Sequence, residues 1–337
     1  MRYTVFGAGA IGGTVGAYLA RAGLDVLFVD QDADHVRAMR ERGLTIRGFD
    51  DTFTVPVQAT DPDALPERLE TVLLAVKAPA TEAAVRSFAA RLAPDGVVVS
   101  LQNGLNELQI AALVGAERTI GAFVNFSADY LEPGLIHFGG RGAFYIGELD
   151  GQITPRLRDL QGALGHWGRV ELTDNIWGFL WGKQAYGAML FATALTNDSM
   201  ADAIDAHRPL MLALASEVLR VASARGVKAL GFDGFEPDAI GSGNAAAIDA
   251  SCDRLIGIRR GDQKTHSGVW RDLAVRKRRT EVDAHFLPVV AEAERHQLTT
   301  PLLRRLIALI HEIEDGQRSL DRANLDELAA AGSVVRT

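Results

Sequence analysis

The opening stretch YTVFGAGAIGGTVGAYLARAG constrains this chain more than any other segment. A short strand rich in β-branched residues runs into a glycine turn, and the turn opens an amphipathic helix closed by Gly23. Gly7, Gly9 and Gly12 form G-x-G-x-x-G inside that frame, and LDVLFVD comes next as a second strand. The first glycine permits a tight turn, the second lets a pyrophosphate approach the backbone, and the third lets the helix pack on the strand. The first helical turn, Gly9 to Gly12 with Ala10 and Ile11 between them, then presents backbone N–H groups and a partial positive charge to phosphates. Outside this frame such a motif is a common structural turn. Within it, the motif predicts a dinucleotide-binding βαβ unit.

The pattern continues in the same sense. DADHVRAMRERG reads as a second helix stopped by glycine, and GLTIRGFDDTFTVPVQAT as a hairpin about FDD. TVLLAVKA and GVVVSLQNG are buried strands with a helix between them, and RTIGAFVNF is another strand. Strands alternating with helices at this spacing imply right-handed crossovers and a doubly wound, mostly parallel sheet. Beyond Glu148 the texture changes, and from Asp174 helical patterns dominate, among them RPLMLALASEVLRVASARG, RDLAVRKRRTEVDAHFLPVVAEAERH and PLLRRLIALIHEIEDG. The expected organisation is an α/β Rossmann domain over 1–172 and an all-α domain over 173–337.

Composition narrows the class. The 337 residues suffice for two separate cores. A net charge of −8 argues against a charge-driven nucleic-acid or membrane-surface role. The single Cys252 excludes an intrachain disulfide, and with no H-E-x-x-H or ligand cluster no metal is expected. No apolar run reaches membrane-spanning length, and the first residues enter a glycine loop too early for a signal peptide, so a cytoplasmic protein with a small-molecule substrate is expected.

Four side chains stand out. Asp30 ends the second strand about twenty positions after Gly7, where a carboxylate accepts hydrogen bonds from an adenosine ribose and repels a 2′-phosphate. The stretch DQDADHV that it opens holds three acidic residues and no Lys or Arg, which predicts NAD(H) over NADP(H). Lys77 and Asn103 both come just after buried strands, and polar groups at the carboxyl ends of parallel strands face the ligand crevice; taken singly, each also suits a plain surface or turn position. Lys183 is the only charged residue between Asn175 and Asn197, in the run LWGKQAYGAMLF, which is apolar on every face. A lysine there either snorkels out, pairs internally, or has a use for its charge.

FGAGAIGG, LLAVKA, SLQNG, GLIHFGGRGAFYIGE, WGK and RRTEVDA occur in an order and spacing that resembles the ketopantoate reductase family, the 2-dehydropantoate 2-reductase group within the 6-phosphogluconate-dehydrogenase-like superfamily. The resemblance covers nearly the whole chain. It implies a Rossmann domain meeting a helical domain across a cleft, with Lys183 as general acid for the carbonyl oxygen and Glu281 holding substrate and site geometry. It also implies that Asn103 contacts nicotinamide and substrate and that Lys77 lies near the cofactor. Hydride addition to a ketone creates an alkoxide that needs a proton and a positive charge together, and a desolvated lysine supplies both.

The departures are informative. Members of the family commonly carry asparagines four and eight residues after the lysine; here Gly187 and Phe191 stand there, predicting a roomier, more apolar substrate pocket. Ser267 is retained where a serine pair precedes the next helix, but Gly268 replaces the second serine. One extra residue between Asp272 and Glu281 adds about a 100° rotation unless a bulge absorbs it. His266 and Arg271 are candidates for binding a substrate carboxylate or phosphate, and the basic run 276–279 reads as the solvated face of a helix. Asp30 replaces the arginine usual in NADPH-using members. The resulting expectation is an NAD(H)-dependent, homodimeric oxidoreductase for a 2-oxo or 2-hydroxy acid or related carbonyl. A bulkier β-hydroxy acid, alcohol or imine is the alternative substrate, and a non-catalytic dinucleotide-binding sensor the alternative class.

Overall fold

The computed structural model describes residues 2–261 and 264–333. The chain divides into two compact units, Met1–Ile176 and Trp177–Thr337.

In the first unit the described residues form one sheet from β1 (Tyr3–Phe6), β2 (Val26–Val29), β3 (Leu44–Gly48), β4 (Thr52–Val55), β5 (Gln58–Thr60), β6 (Leu69–Leu74), β7 (Leu92–Ser100), β8 (Thr119–Glu132), β9 (Leu135–Glu148) and β10 (Glu171–Leu172). The spatial order is β4-β3-β9-β8-β7-β6-β1-β2-β5, with β10 pairing to β9 off this path. The run β5-β2-β1-β6-β7-β8 is parallel throughout and reverses direction of winding between β1 and β6, the doubly wound arrangement. The expected hairpin exists as antiparallel β3 and β4, and β3 also pairs in parallel with β9. A second, longer hairpin, β8 with β9, carries three register shifts.

Five helices cover this sheet: α1 (Ala10–Arg21), α2 (Ala33–Arg42), α3 (Thr81–Phe88), α4 (Asn106–Val114) and α5 (Pro155–Leu164). Successive strand residues point to opposite faces, so Val26 and Phe28 join one core with Val15 and Leu19 of α1, Met39 of α2 and Leu160 of α5. Leu27 and Val29 join the other with Val85 and Phe88 of α3 and Ile110 of α4. Each fully buried side chain of this size contributes about 2 kcal/mol.

The second unit holds α6 (Ile176–Thr193), α7 (Met200–Ala206), α8 (Arg208–Ala224), α9 (Pro237–Gly241), α10 (Ala245–Gly261), α11 (Gly268–Trp270), α12 (Val282–Arg295), α13 (Pro301–Glu314) and α14 (Ala323–Ser333). Buried Glu217 of α8 accepts the N–H groups of Leu302 (2.9 Å) and Leu303 (3.0 Å), closing the positive end of α13 with a carboxylate. Among the described residues no helix is long and apolar enough to cross a membrane.

The structure corrects one expectation. The segment 271–296 is not one helix, and the basic run is not a helix face. After α11 the chain makes a π turn over Arg271–Val275, closed by Arg276 N–H on the Arg271 carbonyl at 2.9 Å. Lys277 then adopts φ +51° and the helix stops. The physical reason is local charge pairing. Asp272 accepts from Arg276 (2.9 Å) and Arg278 (3.0 Å), while Arg279 pairs with Glu314 and Asp315. Because the helix is broken between the π turn and the next helix, the turn count of 271–275 does not set the rotation of α12, which starts at Val282 with Glu281 at its N-cap.

Candidate active site

The glycine loop sits where the sheet winding reverses. Gly7 has φ +97°, and a Cβ there would lie 2.7 Å from the Val76 nitrogen, so only glycine allows this turn beside the end of β6. A Cβ on Gly12 would lie 2.2 Å from the Gly7 carbonyl oxygen. At Gly9 the same construction meets nothing within 4 Å, and Gly9 caps α1 without a side-chain hydrogen bond. Two glycines are filled by protein and the middle one opens onto space beside the bare start of a helix. That arrangement fits a pyrophosphate held by backbone N–H groups of Ala10, Ile11 and Gly12.

Asp30 lies just beyond β2 and is half-buried. Its Oδ2 accepts the Ala8 N–H at 2.8 Å and its Oδ1 the Asp32 N–H at 3.0 Å. Each oxygen has a second lone pair for a ribose hydroxyl. Around it, Asp32 caps α2, and Asp34 holds Arg37 at 2.6 Å. Lys77 and Asn103 are exposed at the carboxyl ends of the adjacent strands β6 and β7. Gln102, which sequence reasoning passed over beside Asn103, joins the two loops: its buried amide donates to the Val76 carbonyl (2.8 Å) and to Thr81 Oγ1 (2.7 Å). Asn106 completes the tie by donating to the Asn103 carbonyl at 2.6 Å.

On the second unit, α6 is buried along most of its length, but Lys183, Gly187 and Leu190 are only half-buried. Their spacing places them on one strip at successive turns. A Cβ on Gly187 would meet only Gln184 Oε1, at 3.9 Å, so the side-chain position one turn from Lys183 is open. Phe191, two turns beyond Lys183 on the same helix, is buried against aromatic neighbours. It is 4% exposed, with its ring 5.0 Å from that of His285 and 4.9 Å from that of Phe286.

Gln184 and His285 were not anticipated. Gln184 Nε2 donates to the His285 carbonyl at 2.7 Å and its Oε1 faces His285 Nδ1 at 3.1 Å. Because the amide N–H is spent on a carbonyl, the oxygen must accept, and Nδ1 carries the imidazole proton. His285 N–H in turn bonds the Glu281 carbonyl at 2.9 Å. The neighbour of Lys183 is thereby fastened one turn from Glu281, which gives a test. Gln184→Leu should lower turnover about tenfold, the usual scale of lost positioning, with NADH affinity unchanged by fluorescence titration; unchanged turnover refutes the link.

The other candidates gather elsewhere on the same unit. Ser267 is buried and caps α11, accepting the Trp270 N–H at 3.1 Å. His266 stacks on Trp270 with ring centres 4.1 Å apart and bonds the Asn197 carbonyl at 3.2 Å, in the turn beyond α6. Arg271 is half-buried and opens the π turn. Among the described residues no group of three or more His, Cys, Asp or Glu is placed to hold a metal ion.

A doubly wound sheet with an open middle glycine, followed in sequence by a helical unit whose apolar helix carries one lysine, is an architecture that two family models match. The family model described as ketopantoate reductase PanE/ApbA matches residues 3–151, and that of its C terminal part matches 175–314. This chain therefore belongs to the ketopantoate reductase PanE/ApbA family, oxidoreductases acting on a CH–OH group. A 2-dehydropantoate 2-reductase of Archaeoglobus fulgidus is 27% identical over 94% of this chain and 98% of its own. The crystal structure of a PanE/ApbA family ketopantoate reductase from Ralstonia eutropha JMP134 superposes with TM-score 0.78 at 27% identity, over 95% of this chain and all of the other. D-mandelate dehydrogenase with NADH and anilino(oxo)acetate has the same fold, with TM-score 0.79 at 21% identity over 94% and 99% of the two chains.

Proposed function

We propose that this protein reduces a 2-oxo acid bulkier than ketopantoate with NADH, and oxidises the corresponding 2-hydroxy acid in reverse. The observation that carries the substrate reading is the half-buried strip of α6, on which Lys183 stands one turn from the empty side-chain position of Gly187. An asparagine there would occupy that space; glycine surrenders it to the substrate.

The open Gly9 and the N–H groups of Ala10, Ile11 and Gly12 would hold the pyrophosphate, Asp30 the adenosine ribose, and Lys77 and Asn103 the nicotinamide end. When bound, the dinucleotide supplies or accepts the hydride. Lys183 gives a proton to the substrate oxygen in reduction and takes one in oxidation, and its charge offsets the negative charge developing there. Glu281, at the start of α12, orients Lys183 and substrate. Ser267, His266 and Arg271 are assigned to the substrate carboxylate; the Ser267 oxygen already accepts one N–H, which leaves its own O–H to donate.

A protein of this fold takes NADH together with anilino(oxo)acetate, which supports a scaffold able to admit a 2-oxo acid with a large substituent. The test is a kcat/KM comparison over a panel of 2-oxo acids with NADH. A phenyl-bearing 2-oxo acid should exceed ketopantoate by about tenfold or more, the worth of a filled apolar pocket. Ketopantoate turned over as efficiently as the bulkier acids would overturn the substrate reading.

A further inference from the structure

A buried histidine outside the glycine motif grips the phosphate loop. His35 lies on the inner face of α2 and is fully buried. Its Nε2 is 2.9 Å from the carbonyl oxygen of Ala8, inside the glycine loop, and its Nδ1 is 2.9 Å from the backbone nitrogen of Gly134 in the β8–β9 turn. Both contacts are with backbone groups of fixed polarity, so the tautomer is determined. Gly134 N–H can only donate, hence Nδ1 accepts; the Ala8 carbonyl can only accept, hence Nε2 carries the proton. Tyr130 closes over this imidazole edge-on, with ring centres 5.0 Å apart, and its hydroxyl donates to Asp32 Oδ2 at 3.2 Å.

Peptide geometry carries this grip into the loop. In a trans peptide the C=O and the next N–H lie in one plane and point in opposite directions, and the described chain contains no cis bond. Holding the Ala8 carbonyl toward His35 therefore aims the Gly9 N–H away from it. Asp30 holds the preceding peptide plane through the Ala8 N–H at 2.8 Å. The peptides on both sides of Ala8 are thus fixed before any ligand arrives, which leaves the Gly9 N–H pre-set next in sequence to those of Ala10, Ile11 and Gly12, and a pre-set donor binds an anion without the cost of ordering it.

We infer that His35, as its neutral Nε2–H tautomer, is a positioning residue for the dinucleotide pyrophosphate, acting through the Ala8–Gly9 peptide. The inference rests on the dinucleotide-binding part of the proposed function and on nothing in the reaction, so it is tested by binding alone. Three substitutions separate loop positioning from general support. In His35→Gln the amide N–H reaches the position of Nε2 and keeps the Ala8 bond. In His35→Asn the shorter amide oxygen reaches the position of Nδ1 and keeps only the Gly134 bond. His35→Leu keeps neither.

NADH affinity, read by fluorescence titration, should fall about tenfold in His35→Asn and His35→Leu, the effect of one buried carbonyl left without its donor. His35→Gln should stay within about threefold of the unmodified protein. Nitrogen-15 histidine spectra of the unmodified protein should show His35 protonated at Nε2 alone, a readout that stands even where a variant fails to fold. The inference is overturned if His35→Asn binds NADH as tightly as the unmodified protein, or if the spectra place the proton on Nδ1. Failure of the unmodified protein to bind NADH would overturn the cofactor reading together with this one. Tight NADH binding with no turnover of any 2-oxo acid would sink the substrate reading and leave the role of His35 intact.

Discussion

Lys183→Ala should lower turnover about a hundredfold or more, the scale on which positioned acid–base groups act, while NADH still binds. The glycine loop, Asp30 and the sheet ends all belong to the first unit, and Lys183 stands on α6 of the second. Removing the ammonium therefore deletes the proton and the charge for the nascent alkoxide without touching the residues assigned to the dinucleotide. Lys183→Arg should be nearly as slow, because a guanidinium keeps a charge but does not release its proton near neutral pH. Steady-state rates with the best 2-oxo acid, set beside a fluorescence titration of NADH, separate the two terms. Wild-type turnover in Lys183→Ala would move the acid–base role to another group.

Discrimination between cofactors should be the next largest effect: NADH is expected to bind at least about tenfold more tightly than NADPH, or about 1.4 kcal/mol. A 2′-phosphate would enter beside Asp30, Asp32 and Asp34, and the first arginine of α2, Arg37, is already held by Asp34 at 2.6 Å. Asp30 also has a structural duty, since it accepts the Ala8 and Asp32 N–H groups. Asp30→Ser should therefore weaken NADH binding and relax the preference, yet gain little for NADPH, because the loop loses an anchor as the repulsion is removed. Tighter binding of NADPH than NADH by the unmodified protein would remove the claim.

How far these sites could be read beforehand depended on whether the signal was local. The glycine turn, Asp30 and the strand ends carrying Lys77 and Asn103 were legible because each sits at a strand terminus, where the chain changes period and composition together. Lys183 was legible by contrast alone, one charge in an apolar helix. His35, Gln102 and Gln184 were not. Each is a polar residue on an ordinary helix or loop, and its importance comes from backbone groups distant in sequence: Gly134 for His35, Val76 for Gln102, His285 for Gln184.

The helix expected through 271–296 failed for a related reason. Its apolar periodicity is sound, but Asp272 draws Arg276 and Arg278 back on the chain and Arg279 is drawn to the end of α13, so paired charges override the local pattern. Phe191 shows the same limit from the apolar side. Residue type marked the position as hydrophobic, and only the structure shows which rings, those of His285 and Phe286, it packs against.

By itself, then, the amino-acid order determined the doubly wound sheet, the helical second unit, the glycine loop and the lone lysine. These arise from periodicity, turn chemistry and charge contrast within a few tens of residues. The three-dimensional structure alone placed His35 between the Ala8 carbonyl and the Gly134 N–H, tied α6 to the start of α12 through Gln184 and His285, and packed Phe191 against His285 and Phe286. Those depend on directional contacts between segments far apart in the chain, and hydrogen-bond geometry is not written in composition.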